Sequence, residues 1–156
     1  MPAFLVRHAH AGSKSQWKGD DAARPVSARG AAQAEAIADV LEGEGVRRIV
    51  SSPTARCTGT VAPLAERLGL KVRTRKVLAP DAVPDEAIAY LLDHADENPV
   101  LSTHGEVIPK VIALLVDRGM RIKDPIVSEK ASIWVLDIAD GTVVRGRYLP
   151  PPRTGS

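Results

Sequence analysis

Residues 4–12, Phe-Leu-Val-Arg-His-Ala-His-Ala-Gly, decide how this chain is read. Phe4, Leu5 and Val6 run directly into Arg7 and His8, and small residues follow. A short apolar run of this kind predicts a buried strand over residues 3–7. It would end in two groups suited to phosphoryl chemistry. Arg7 offers a planar fork of donors that matches phosphate oxygens. His8 offers an imidazole largely neutral, and so nucleophilic, near pH 7. Two later stretches repeat the design: SSPTARCTGT at 51–60, with Arg56, and VLSTHGE at 100–106, with His104. Each follows a predicted strand and opens a predicted helix.

The 156 residues fit one domain, read as 1–150 with a tail at 151–156. No apolar run approaches the roughly 18 residues of a membrane helix. Pro2 leads straight into a strand, where a secretory leader would carry a basic then an apolar stretch. Cys57 is the single cysteine, so no internal disulfide can form. A cytoplasmic protein is expected. The net charge of +2 is too small, and the 3% aromatic content too low, to suggest nucleic-acid binding. Lys14 and Lys18 concentrate positive charge just after the first motif. They suit an anionic substrate or a solvated basic loop equally well.

Taken in order, residues 9–26 form a long loop rich in Gly, Ser, Lys and Asp, a length often tied to function. Ser27 is placed to cap a helix bearing Ala34, Ile37, Ala38 and Leu41 on one face, stopped by Gly43 and Gly45. A strand is expected at 46–50. Ser52 as N-cap and Pro53 at the first turn then open a helix that buries Cys57, Val61, Leu64, Ala65 and Leu68. Cys57 reads as core, and Arg56 falls in the first turn beside free backbone N–H groups. Residues 71–78 are expected as a strand. A loop with Asp81, Asp85 and Glu86 comes next, then a helix from about 85 to 95 whose C-terminal His94 carries no chemistry. After the strand 100–103, a helix with Val107, Ile108, Val111, Ile112 and Leu115 inward tolerates Pro109 near its start. Two strands joined at Ala139-Asp140-Gly141 close the chain as a hairpin. The alternation predicts an α/β three-layer sandwich: a mostly parallel central sheet with helices on both faces, and a site at the carboxyl strand ends.

These motifs resemble the histidine phosphatase superfamily, which includes the phosphoglycerate mutases. The resembling residues are Arg7-His8-Ala9, then Ser52-Pro53-Thr54-Ala55-Arg56 with Thr60, then His104-Gly105. DAARPVSARGAAQA lies between the first two and also fits. Short length and the Asp21-x-x-Arg24-Pro25 spacing are similar to the SixA-like small phosphatases. RHAHAGSKSQWKGDD and SSPTARCTGTVAPLAERLG are closer still to the histidine-phosphatase domain of bacterial MutT-like two-domain proteins, whose other domain is a Nudix hydrolase. No Nudix box occurs in this chain.

The resemblance implies a phosphoglycerate mutase-like fold and a metal-independent, cofactor-free reaction. His8 attacks phosphorus, forming a phosphohistidine that water hydrolyses. Arg7, Arg56 and His104 stabilise charge on the phosphoryl oxygens. A carboxylic acid serves the leaving group; in mutase-like relatives it follows the third strand, where this chain offers Asp81 first, then Asp85 and Glu86. Lys14, Ser15, Lys18 and Gly105 are candidate substrate contacts. Asp20 and Asp21 read as structural, pairing with Arg24, and His10 as a rim residue. Three functions stay open. The first is a phosphatase of nucleoside diphosphates, including oxidised guanine nucleotides, or of similar small molecules. The second is a protein phosphohistidine phosphatase. The third is a non-catalytic module that binds phosphate or a partner. A Nudix domain or a phosphorylated protein is the partner the resemblance suggests.

Overall fold

A computed structural model describes residues 1–154; the last two residues of the expected tail lie outside it. Six strands form one mixed sheet: β1 (Pro2–Arg7), β2 (Ile49–Ser51), β3 (Val72–Thr74), β4 (Val100–Thr103), β5 (Ile133–Ala139) and β6 (Thr142–Leu149), in the order β3-β2-β4-β1-β5-β6. The first four in that order run parallel, and β5 and β6 add antiparallel pairs at the far side. Four helices cover the sheet: α1 (Ala28–Leu41), α2 (Ala55–Leu68), α3 (Pro84–Asp93) and α4 (Ile108–Asp117). None is long and apolar enough to cross a membrane.

Side chains alternate across a strand, so a strand covered on both faces must be apolar throughout. In β1, Ala3 and Leu5 join Val50, Leu101, Trp134 and Leu136 in a core shared with α3 and α4. Phe4 and Val6 face the other way, with Ile49, Val100, Ile133 and Val135, against α1 and α2. This is the expected α/β sandwich, with helices on both sides of the sheet.

Local chemistry explains most boundaries. The Ser27 side chain accepts from Gly30 N and caps α1. Gly69, at φ 66°, ends α2 in the left-handed conformation. Asp140 and Gly141, at φ 52° and 74°, make the two-residue turn between β5 and β6.

Several boundaries differ from expectation. Helix α2 begins at Ala55 with Thr54 as N-cap, because the Ser52 hydroxyl is engaged by His104 instead. Residues 46–48 only lead into β2, tied to the 95–97 turn by Arg47 N donating to Glu97 O at 2.9 Å. Strand β3 is cut to three residues, since β2 offers only Ile49–Ser51 to pair with it. The chain then turns at 76–78 and buries Leu78. Helix α3 starts at Pro84 and stops at Asp93.

Candidate active site

Sheet register sets the site. Arg7 pairs with Thr103, and Ser51 with Ser102, so β1, β4 and β2 end at one level. The residues that follow are bound to one another: His8 N donates to Thr103 O at 3.0 Å, and Ser52 N to Ser102 O at 2.9 Å. His8 and His104 thereby face each other with ring centroids 5.6 Å apart and planes at 66°.

His8 is nearly buried. Its Nδ1 lies 2.9 Å from Ala9 O. A carbonyl only accepts, so Nδ1 carries the proton and Nε2 keeps its lone pair. Burial first, then the neighbouring His104 and the charges of Arg56 and Arg7, push the His8 pKa down to about 4, against the pull of the Ala9 hydrogen bond. The imidazole is therefore neutral at pH 7. His104 is fully buried; burial, then Arg56 and Arg7, likewise bring it to about 4, Asp21 opposing. Its Nε2 lies 2.8 Å from Ser52 Oγ, and its Nδ1 3.7 Å from the Glu106 carboxylate. Cys57 Sγ, 3.5 Å from His104 Nε2, is no nucleophile: burial pushes its thiol up to about 11.

The two arginines are held differently. Arg7 Nη1 donates to Ser128 O at 2.5 Å, and Gly105 leaves room for its guanidinium. Arg56 is clasped by Asp21, which accepts from Nη1 through its backbone O at 3.0 Å and pairs with Nη2 at 3.2 Å through its carboxylate. Asp21 also pairs with Arg24 at 3.1 Å. Burial favours protonation of Asp21, but the Arg24 hydrogen bond and the Arg56, Arg24 and Lys14 charges hold it below the usual carboxylate range. Arg7 Nε and Arg56 Nε are buried without a hydrogen-bond partner among the described residues. Buried donors of this kind are costly unless a ligand uses them.

Thr60 completes the floor: its Oγ1 accepts from Ala9 N at 2.8 Å and donates to Arg56 O at 2.7 Å. One hydroxyl thus couples the loop after β1 to the first turn of α2. His10 sits on the rim, its N donating to Gln33 Oε1 and its ring bonded to Ser27 Oγ.

A cleft of about 300 Å³ opens over these groups, lined by Arg7, His8, Arg56, Gly105 and Lys14, and also by Ala11, Asp21, Arg24, Glu106 and Lys130. Of the expected site residues, His104 is fully buried and absent from its lining, and Ser15 and Lys18 are exposed and do not line it either; Ser15 Oγ meets Ser13 Oγ. Asp81, Asp85 and Glu86 are exposed too and lie outside its lining, and Asp85 pairs with Arg118. After the short β3 the chain turns at 76–78, where Leu78 O accepts from Thr103 Oγ1 at 2.7 Å, and then runs into α3. The carboxylates that do line the cleft are Asp21 and Glu106. Glu106 was legible beside His104-Gly105, whereas Lys130 has no motif around it. Among the described residues, no group of three His, Cys, Asp or Glu could hold a metal ion. A larger groove of about 530 Å³ runs along β6, lined by Arg121, Lys123, Arg145 and Arg147 among others, and contains none of the motif residues.

Residues 3–79 match the histidine phosphatase superfamily (branch 1). Over 154 residues the chain is 37% identical to the 8-oxo-(d)GTP phosphatase of Mycolicibacterium smegmatis. That match covers 96% of this chain and 48% of the relative, so the chain spans about half the relative's length. Among solved structures, the protein histidine phosphatase SixA complexed with tungstate superposes with a TM-score of 0.75 at 20% identity, covering 96% of this chain and 94% of that one. A mycobacterial glucosyl-3-phosphoglycerate phosphatase complexed with VO3 superposes at 0.70 and 19% identity, covering 94% and 96%. At these identities the two structures establish the shared fold.

Proposed function

Because the chain belongs to the histidine phosphatase superfamily, we propose that it is a metal-independent phosphatase working through a phosphohistidine on His8. One observation carries the reading: a neutral imidazole with a free Nε2, nearly buried, in a cleft lined by two arginines whose Nε donors have no partner among the described residues.

In the first step the Nε2 lone pair of His8 attacks phosphorus. The P–N bond forms, and the bond from phosphorus to the leaving oxygen breaks, its electron pair going to that oxygen. Arg7 and Arg56, from the cleft's lining, stabilise charge on the remaining phosphoryl oxygens, the largest contribution expected in such a transfer, and neutral His104 adds to this from its buried place beside His8. In the second step a water oxygen attacks phosphorus. The P–N bond breaks, and its pair returns to Nε2. Proton transfer falls to a carboxyl group, and Glu106, which lines the cleft, suits that role better than Asp81. Glu106 protonates the leaving oxygen in the first step and takes the proton of water in the second.

We assign the substrate as a small phosphorylated molecule, in the first place a nucleoside diphosphate. Support comes from the name of the 37% identical relative, an 8-oxo-(d)GTP phosphatase, and from the cationic cleft. A leaving phosphate is a good leaving group, consistent with an exposed and loosely held acid. A Nudix partner domain stays part of this proposal. A protein phosphohistidine substrate is the second reading, favoured by the SixA superposition and by the exposed mouth at residues 13–19. A module that only binds phosphate would not need His8 kept neutral with its nucleophilic nitrogen free.

The test is phosphate release in EDTA from GDP, 8-oxo-GDP and a phosphohistidine protein, with His8→Ala alongside. Release that survives EDTA and falls at least about a thousandfold in the variant is expected. Release that persists in His8→Ala overturns the mechanism. Activity confined to the phosphoprotein moves the substrate to the second reading.

A further inference from the structure

The segment between α4 and β5 enters the site although nothing in its sequence resembles a phosphate motif. It is strapped to the end of β1, with Arg7 N donating to Ser132 O at 3.1 Å. Ala131 N reaches both Arg7 O at 3.1 Å and His8 O at 3.3 Å. From its other side Trp134 Nε1 donates to Val127 O at 2.9 Å, and Glu129 N to Tyr148 Oη at 3.2 Å. Ala131 is fully buried and sits at φ 67°, a left-handed conformation that costs a residue with a Cβ on the order of 1–2 kcal/mol. Strain of this kind persists only where surrounding bonds over-determine it, and it marks functional positions.

What the strained residue accomplishes is placement of its neighbour. Lys130 lines the cleft together with His8 and Arg7. Its charge bears on His10, while that of Lys14, from the opposite end of the sequence, bears on Asp21. The other cations of the cleft are already committed. Arg7 and Arg56 flank the nucleophile. Arg24 donates to Ala11 O and Gly12 O and pairs with Asp21. Lys130 and Lys14 are exposed and in no ion pair among the described residues. An ammonium group is a mobile point charge that takes a phosphate oxygen without bidentate geometry.

We propose that Lys130, with Lys14, binds the phosphate next to the one transferred, so that the cleft selects phosphoanhydrides such as nucleoside diphosphates over simple phosphate monoesters. This deepens the nucleotide reading above and rests on it for the position of the transferred group. Lys130 acts by positioning and selecting substrate, not in the bond-breaking step.

The test is titration calorimetry of inorganic diphosphate and inorganic phosphate with the wild-type chain, Lys130→Met and Lys130→Arg, paired with GDP hydrolysis. The wild type should prefer diphosphate. In Lys130→Met that preference should fall about tenfold or more, the size expected of a lost charge-assisted hydrogen bond, and Lys130→Arg should restore most of it. A preference unchanged in Lys130→Met overturns the assignment whatever GDP does. So does a wild type that binds the two anions equally, or binds neither. A wild type that prefers diphosphate through Lys130 yet leaves GDP intact retains Lys130 and overturns the nucleotide reading instead.

Discussion

Gly105 stands where any side chain would collide with Arg7: a Cβ there would meet Cζ at 2.6 Å and Nε at 2.7 Å. Those atoms are the far end of a flexible side chain, so the collision can be relieved by moving the guanidinium rather than the fold. Gly105→Ala should therefore leave stability within about 1 kcal/mol of wild type. It should still lower kcat/KM about a hundredfold, as expected for displacing an oxyanion-binding donor. A urea titration read beside phosphate release checks both halves. Unfolding at markedly lower urea would refute this account of Gly105. Ser52 makes a related point. Its position before Pro53 reads as a helix cap, but its hydroxyl is held by His104 Nε2, a partner 52 residues away that no local pattern announces.

At the scale of elements, the N-terminus of α1 is joined to the loop after β1. Ser27 N and Oγ both donate to His10 O, and the Ser27 hydroxyl also meets the His10 ring. Gly30, in the first turn of α1, would place a Cβ 1.9 Å from His10 O. That atom is backbone, fixed by the Ser27 bonds, and cannot step aside cheaply. Gly30→Ala should cost several kcal/mol, on the order of 2–4, and lower the melting temperature accordingly; calorimetry measures it. A melting temperature within a degree or two of wild type would mean that α1 and the loop slide apart without penalty. The contrast with Gly105 is instructive: one glycine makes room for a side chain and the other for a peptide group, and their substitutions should separate activity from stability.

For the whole molecule, two imidazoles are buried at the carboxyl ends of the central strands β1 and β4, and pH reports the cost. His8 and His104 titrate near 6.5 in the unfolded chain and near 4 when folded. Between those values the unfolded chain binds more protons, so stability falls as pH drops. It is fully present above about 6.5 and lost by about 4, with up to about 3 kcal/mol linked to each histidine. Unfolding free energy measured by urea at pH 7, 6, 5 and 4 should show this slope, and His8→Ala should remove about half of the histidine-linked part. A stability flat from pH 7 to 4.5 in the wild type would contradict the buried, neutral state of both rings.

Much of this protein is carried by local sequence. The buried runs of β1 and β4, the periodic faces of α1, α2 and α4, the Ser27 cap and the Asp140-Gly141 turn depend on neighbours a few residues away, and they determine an α/β sandwich with its motif residues at strand ends. Arg7, His8, Arg56 and His104 were legible because each follows closely on an apolar run: Arg7 and His8 lead into a loop, and Arg56 and His104 into a helix. Tertiary structure alone decided the rest. The short partner β2 truncates β3, and Asp81, on the loop that follows, is exposed and outside the cleft's lining. The same assembly brings in Lys130, on a segment whose Ser128 carbonyl meets Arg7 across 121 residues of chain. Such pairings depend on how strands register and loops close. That is a balance of burial and backbone hydrogen bonding over the entire sheet, which no single stretch of residues encodes.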